Sequence, residues 1–135
     1  MLSIAVRYVT ALAVLVAGDI LWLGYFAHAV FQPTLKPILR DEIEWRAAIL
    51  FYLLYAVGIA VFAVTPALAN RSAWQALGYG LLFGFLAYMT YDATNYATIS
   101  AWTIRLAVMD VGWGTFISGI AGLASYGVAR AVARS

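Results

Sequence analysis

Three aspartates carry whatever chemistry this sequence has: Asp19, Asp92 and Asp110. Each sits in a stretch otherwise dominated by apolar residues. Each is followed three residues later by a hydrogen-bond donor, in Asp19-Ile20-Leu21-Trp22, Asp92-Ala93-Thr94-Asn95 and Asp110-Val111-Gly112-Trp113. A carboxylate near the centre of a membrane-spanning helix is costly, at least about 2.5 kcal/mol on insertion scales. Closely spaced carboxyls in such a place can relay a proton, bind a cation or act as general acid and base. The competing reading is that they accept hydrogen bonds from tryptophan, tyrosine and arginine and fasten helices together. Interhelical hydrogen bonds return only about 0.6–2 kcal/mol each, which favours a functional role for the Asp92–Asp110 pair. For Asp19 both readings stand, because Trp22 and Tyr25 lie close by in sequence and would satisfy it.

The residues around Asp92 are unusually polar for a span: Tyr88, Thr90, Tyr91, Thr94, Asn95 and Thr98. Helical spacing puts Tyr88, Asp92 and Asn95 on one face, flanked by Tyr91 and Thr98. Lipid cannot solvate such a face, so it is expected to look into a bundle or toward water. The candidate binding or proton-handling residues are therefore Asp19, Trp22, Tyr88, Tyr91, Asp92, Thr94, Asn95, Asp110 and Trp113. Arg46 and Arg105 approach from the same side and are candidate ion-pair partners.

These residues need helices to hold them. The chain has 135 residues, of which 65% are hydrophobic and 10% charged, with a mean hydropathy of +0.90. Soluble domains carry about 25% charged residues, so composition points to the membrane. Four stretches are long enough to span, at approximately residues 4–30, 47–69, 74–98 and 106–128. The expected fold is all-α, a single integral membrane domain made of four antiparallel transmembrane helices. Ala27-His28-Ala29 looks like a signal cleavage site, but the apolar run before it extends past Asp19 to Phe26 and is too long for a signal core, so it is expected to stay uncut. Pro33 and Pro37 are expected to break the first helix. Residues 38–45 fit an interfacial turn and a solvated loop equally well. Short connections near Asn70-Arg71-Ser72 and Ile99–Ile104 make the later helices antiparallel neighbours.

At ~1.5 Å per residue, Asp92 and Asp110 lie about 9 and 10 Å from the centres of their spans, on the same side, with Asp19 displaced a few ångströms that way too. All three acids are thus expected in one half of the membrane. The Lys and Arg counts tie: Arg7, Arg71, Arg130 and Arg134 stand against Lys36, Arg40, Arg46 and Arg105. Cytoplasmic termini are preferred because the short tails and tight loop carry their charge undiluted. Small residues recur at Gly80/Gly84 and at Gly114/Ser118/Gly122, spacings that suit either an internal helix contact or a homo-oligomer face. Trp22, Trp45, Trp74, Trp102 and Tyr25 fall near helix ends, as an aromatic belt would.

Much is excluded. With no cysteine and one histidine, His28, there is no thiolate site and no multi-histidine zinc or haem site. His28 reads as a plain interfacial residue. No metal and no cofactor is expected. A net charge of +2 without a dense basic patch argues against nucleic acid.

The strings Gly18-Asp19-Ile20-Leu21-Trp22-Leu23-Gly24, Phe51-Tyr52-Leu53-Leu54-Tyr55, Pro66-Ala67-Leu68, Tyr91-Asp92-Ala93-Thr94-Asn95 with Ala97-Thr98, and Asp110-Val111-Gly112-Trp113-Gly114 resemble the bacterial membrane-protein family known as domain of unknown function 2177. The resemblance runs through nearly the whole chain and implies a four-helix integral membrane protein, with no catalytic role to carry over. Three functions are then open. The first is binding or processing of a lipid or amphipathic small molecule in an aspartate-lined polar pocket of a bacterial inner-membrane protein. The second is a small proton-coupled homodimeric transporter. The third is an accessory subunit of a membrane complex.

Overall fold

The computed structural model describes residues 2–134, with the side chains of Ala27 and Arg134 excepted. Arg134, one of the terminal charges counted above, therefore lies outside the described side chains. Every regular element among the described residues is helical. The helices are α1 (Leu2–Leu21), α2 (His28–Leu35), α3 (Trp45–Gly58), α4 (Thr65–Ala69), α5 (Ala73–Thr98) and α6 (Ile104–Arg134).

Two of the junctions are π-helical turns, Trp22–Ala27 between α1 and α2 and Ile59–Val64 between α3 and α4. In each, the residues flanking the turn keep right-handed helical angles, so the chain continues as one rod. The second turn has a visible cause. Pro66 has no N–H to donate, and its ring crowds the carbonyl four residues back. Just before it, the ladder widens: the Thr65 N–H reaches the Ala60 carbonyl, five residues back. The Thr65 hydroxyl bonds to the same oxygen at 2.8 Å. The extra residue per turn gives the proline room.

Pro33 does not break the first helix, contrary to expectation. It lies inside α2, which runs on to Leu35. Only two residues follow it, so little of the ladder is lost, and Leu35 is buried against Trp102 and Leu106, which holds the helix end. A short 3-10 turn, Lys36–Ile38, takes Pro37 at its start. Residues 39–44 are irregular and exposed.

Local capping accounts for the other boundaries. Glu44 accepts from the Arg46 N–H, Ser72 from the Gln75 N–H and Thr103 from the Leu106 N–H. α4 closes with a Schellman arrangement: Ser72 N–H to the Ala67 carbonyl at 3.0 Å and Arg71 N–H to the Leu68 carbonyl at 3.2 Å. Arg71 fills the left-handed position usually given to glycine, with φ of 51°.

Packing is led by α5 on α6, then α1 on α6. The small residues explain the closeness. A Cβ on Gly84 would stand 2.5 Å from the Gly114 carbonyl oxygen, and one on Gly80 would stand 2.6 Å from that of Ser118. One on Gly122 would stand 2.8 Å from the Ala76 carbonyl oxygen. These pairings run in opposite directions along the two helices, which makes α5 and α6 an antiparallel hairpin. They also show that both small-residue stripes are occupied against each other. Neither is left as the homo-oligomer face that their spacing also suited.

Three stretches are long and apolar enough to cross a membrane: Leu2–Phe26, Trp45–Ala69 and Ile104–Ala133. α5 is not among them. It has 26 residues, but Gln75, Thr90, Asp92, Thr94, Asn95 and Thr98 lower its mean hydropathy.

Candidate functional site

Asp19 is the best-bonded of the three acids. It is buried, and its two oxygens are met by two different helices. The Tyr52 hydroxyl of α3 donates to Oδ2 in a very short contact. The Trp113 indole of α6 donates to Oδ1 at 2.8 Å. Gly18 helps make this arrangement: a Cβ there would stand 2.3 Å from Ile117 Cδ1 and 3.3 Å from the Trp113 ring, so a larger residue would require Ile117 to shift. Trp113 in turn stacks on Trp22, with centroids 5.1 Å apart and rings 6° from parallel. The neighbours expected to satisfy Asp19 do not do so. Tyr25 is exposed, and the buried Trp22 N–H has no partner.

Asp92 is in the opposite condition. It is 0% exposed, and neither carboxyl oxygen has a hydrogen bond of ordinary geometry. Its polar neighbours are the Asp110 carboxyl and the Trp102 indole. The Trp102 N–H is also buried and without a bonded partner. Trp102 lies in the α5–α6 turn, held by Leu35 and Leu106 and by an edge-on contact with Tyr91 at 5.6 Å. Asp110 is buried too and interacts with Asp92 across the hairpin.

A cavity of about 520 Å³ lies beside these acids. Asp19 and Asp110 are on its wall, with eight aromatic rings: Trp22, Phe31, Phe51, Tyr52, Tyr55, Tyr88, Tyr91 and Trp113. Among the described residues no lysine or arginine lines it. It exists because α3 and α5 diverge. α5 touches α3 where Phe83 meets Tyr55 and again edge-on between Tyr55 and Tyr88, and Phe83 also stacks on Phe62 of the π turn that follows α3. Beyond that level α5 no longer packs substantially on α3, which leans on α1 instead. The floor is fixed by the Tyr55 hydroxyl and the buried Ser118 hydroxyl, 2.7 Å apart.

Of the residues singled out from sequence, Asp19, Trp22, Tyr88, Tyr91, Asp110 and Trp113 line one cavity. Asp92 is set behind Asp110, off the wall. Thr94 and Asn95 are not on the wall either; Thr94 is exposed and gives its carbonyl to the Thr98 hydroxyl. The arginines do not join the acids. Arg46 is 95% exposed and pairs with Glu44 at 3.7 Å, and Arg105 is exposed. Among the described residues no ion pair reaches Asp19, Asp92 or Asp110. The reason is positional: Arg46 stands in the first turn of α3, beside its own capping glutamate. Trp22 and Trp102, expected in an aromatic belt, are core residues instead. Trp45, Trp74 and Tyr25 are exposed, as a belt requires.

Sequence reasoning left Tyr52, Tyr55, Phe51 and Phe31 out of the site. Tyr52 and Tyr55 carried a usable signal. Two hydroxyls three residues apart share a helix face, and in a span without charge that face is the one to turn inward.

A family model described as a predicted membrane protein, DUF2177, matches residues 4–127, so the chain belongs to that family and the resemblance carried by its motifs is borne out. No curated protein and no solved structure matches it.

Proposed function

We propose that this member of the DUF2177 family is a four-helix integral protein of the bacterial inner membrane, with cytoplasmic termini, that binds an amphipathic molecule in the crevice between α3 and α5. The fourth span is α5. Its 26 residues measure about 39 Å, enough to cross, and its acid is turned inward onto α6. The observation that carries the ligand class is the lining: two carboxyls and eight aromatic rings with no cationic side chain. Aromatic faces and a carboxylate together attract an organic cation, most strongly when water is excluded. The volume suits a small organic molecule. Among the described residues no three acid or histidine side chains converge as a metal ion would need.

In this reading the acids divide the work. Asp19 is engaged by Tyr52 and Trp113 and holds the wall in place. Asp110 meets the cationic group of the ligand. Asp92 shares a proton with Asp110, and that proton leaves as the cation arrives, which keeps the buried charge constant.

Two ions of one shape and opposite charge test this, tetraphenylphosphonium and tetraphenylborate. Each is titrated calorimetrically into the protein in phosphatidylcholine nanodiscs, in two buffers of different ionisation enthalpy. The phosphonium is expected to bind saturably, to release protons, and to bind at least about tenfold more weakly to Asp110→Asn. The borate is expected to show no dependence on Asp110. Equal phosphonium binding by wild type and Asp110→Asn would sink the proposal.

A further inference from the structure

The end of the bundle away from the aspartates holds a second cavity, of about 340 Å³. Arg7, Arg71 and Arg130 line it, with Ser3, Leu68 and Ala129. The three guanidiniums come from α1, the α4–α5 turn and the last turns of α6. None has an acidic partner among the described residues, and all six acidic residues of the chain belong to the other half of the bundle and its loops.

Two of the arginines are aimed by neutral hydroxyls. Arg7 donates to Ser3 Oγ at 3.0 and 3.2 Å and to Thr65 Oγ1 at 3.1 Å. Arg130 donates to the Tyr126 hydroxyl at 2.9 Å, with its guanidinium 5.8 Å from the ring centre. These bonds orient the side chains and leave their charge uncompensated. Arg71 is presented by its left-handed turn and makes no side-chain bond to a described residue. Three like charges drawn to one cavity repel one another unless an anion lies between them.

We infer that this cavity binds the phosphate of an anionic phospholipid. Guanidiniums match phosphate oxygens in paired, planar hydrogen bonds. A lipid source, rather than a soluble phosphate compound, is favoured by what surrounds the cavity. Leu2, Ile4 and Val9 are exposed beside Arg7, offering apolar surface to acyl chains. Trp74, 81% exposed, starts α5 at the same end, where an indole marks the headgroup level. The inference does not depend on Asp110 or on the α3–α5 crevice.

The test is thermal melting of the full chain in a neutral maltoside detergent with added phosphatidylglycerol, phosphatidylcholine or inorganic phosphate. Phosphatidylglycerol is expected to raise the midpoint, and the other two are not. Arg71→Gln removes no internal bond and is expected to fold as wild type. Its apparent phosphatidylglycerol affinity should fall about fivefold, the usual contribution of one basic residue at an anionic membrane surface. Arg71→Gln combined with Arg130→Gln should weaken it further. An equal shift with phosphatidylcholine, or equal affinity in wild type and Arg71→Gln, would overturn the site. A shift reproduced by inorganic phosphate alone would overturn the lipid assignment.

Discussion

Asp19 and Asp92 are the same residue type in the same kind of helix, yet their surroundings call for opposite responses to the same change. Asp19 accepts two hydrogen bonds, from Tyr52 and Trp113. Removing either donor leaves an oxygen short, so Tyr52→Phe should lower stability by about 0.6–2 kcal/mol, the range for interhelical hydrogen bonds. Asp92 has no hydrogen bond of ordinary geometry at either oxygen among the described residues, and a second carboxyl beside it. Asparagine keeps the shape and removes the charge. Asp92→Asn and Asp110→Asn should therefore melt level with wild type or higher, by about 1–3 kcal/mol, the scale of an unmade buried polar bond. The comparison is made at pH 5 and at pH 8. Melting curves of the three variants in mild detergent at both pH values decide this. Lower midpoints for both asparagine variants at both pH values would make all three acids fasteners. The sequence placed the acids correctly in one half of the molecule, because depth follows from counting residues along a span. It misassigned Asp19's partners, because i to i+3 spacing reports only neighbours on one helix, and both true donors come from other helices.

At the scale of elements, the small residues divide by what stands opposite them. Gly84 is pressed against Gly114 and Ser118, whereas Gly112 has nothing within 4 Å of where a Cβ would be. Gly84→Ala should force α5 from α6 and destabilise by about 1–3 kcal/mol, as overpacking does. Gly112→Ala should be neutral or stabilising by up to about 1 kcal/mol through helix propensity. Denaturation of the two variants side by side, with an equal loss in both, would show that the seam is not as tight as described. The existence of these helices was legible in the sequence, since long apolar runs announce themselves. The π turns were not. Nothing in Ile59–Val64 differs in composition from an ordinary span; the signal is Pro66, which lies downstream of the turn it widens. The same limit applies to Pro33: its residue type predicts a break, but a proline two residues from a buried helix end disturbs little. The divergence of α3 from α5, and hence the crevice, depends on side chains meeting at Phe83, Tyr55 and Tyr88, and no periodicity reports that.

The whole molecule is sorted by charge. Every acid lies in the half that holds the crevice and the long first connection, and the terminal end carries only arginines. Counting basic residues alone gives a tie between the two ends, which is why the orientation was weakly legible. The ground for the proposed cytoplasmic termini is that the short tails and the tight turn at that end carry their charge undiluted. Fusions of a periplasm-active and a cytoplasm-active reporter to the carboxyl terminus check this: activity of the cytoplasmic reporter alone is expected, and activity of the periplasmic one would reverse the assignment. The continuous rod from Leu2 through the π turn to Leu35 has a further consequence. At ~1.5 Å per residue its contour is about 50 Å, against a hydrocarbon core of about 30 Å. Such a rod must lean in the bilayer or overhang it. Phe31 and Leu23 lie eight residues apart on this rod and both line the crevice, which therefore runs about 12 Å along it. In the reading proposed above, a crevice of that length meets an amphipathic molecule along its axis, with its polar and its apolar end on one continuous wall.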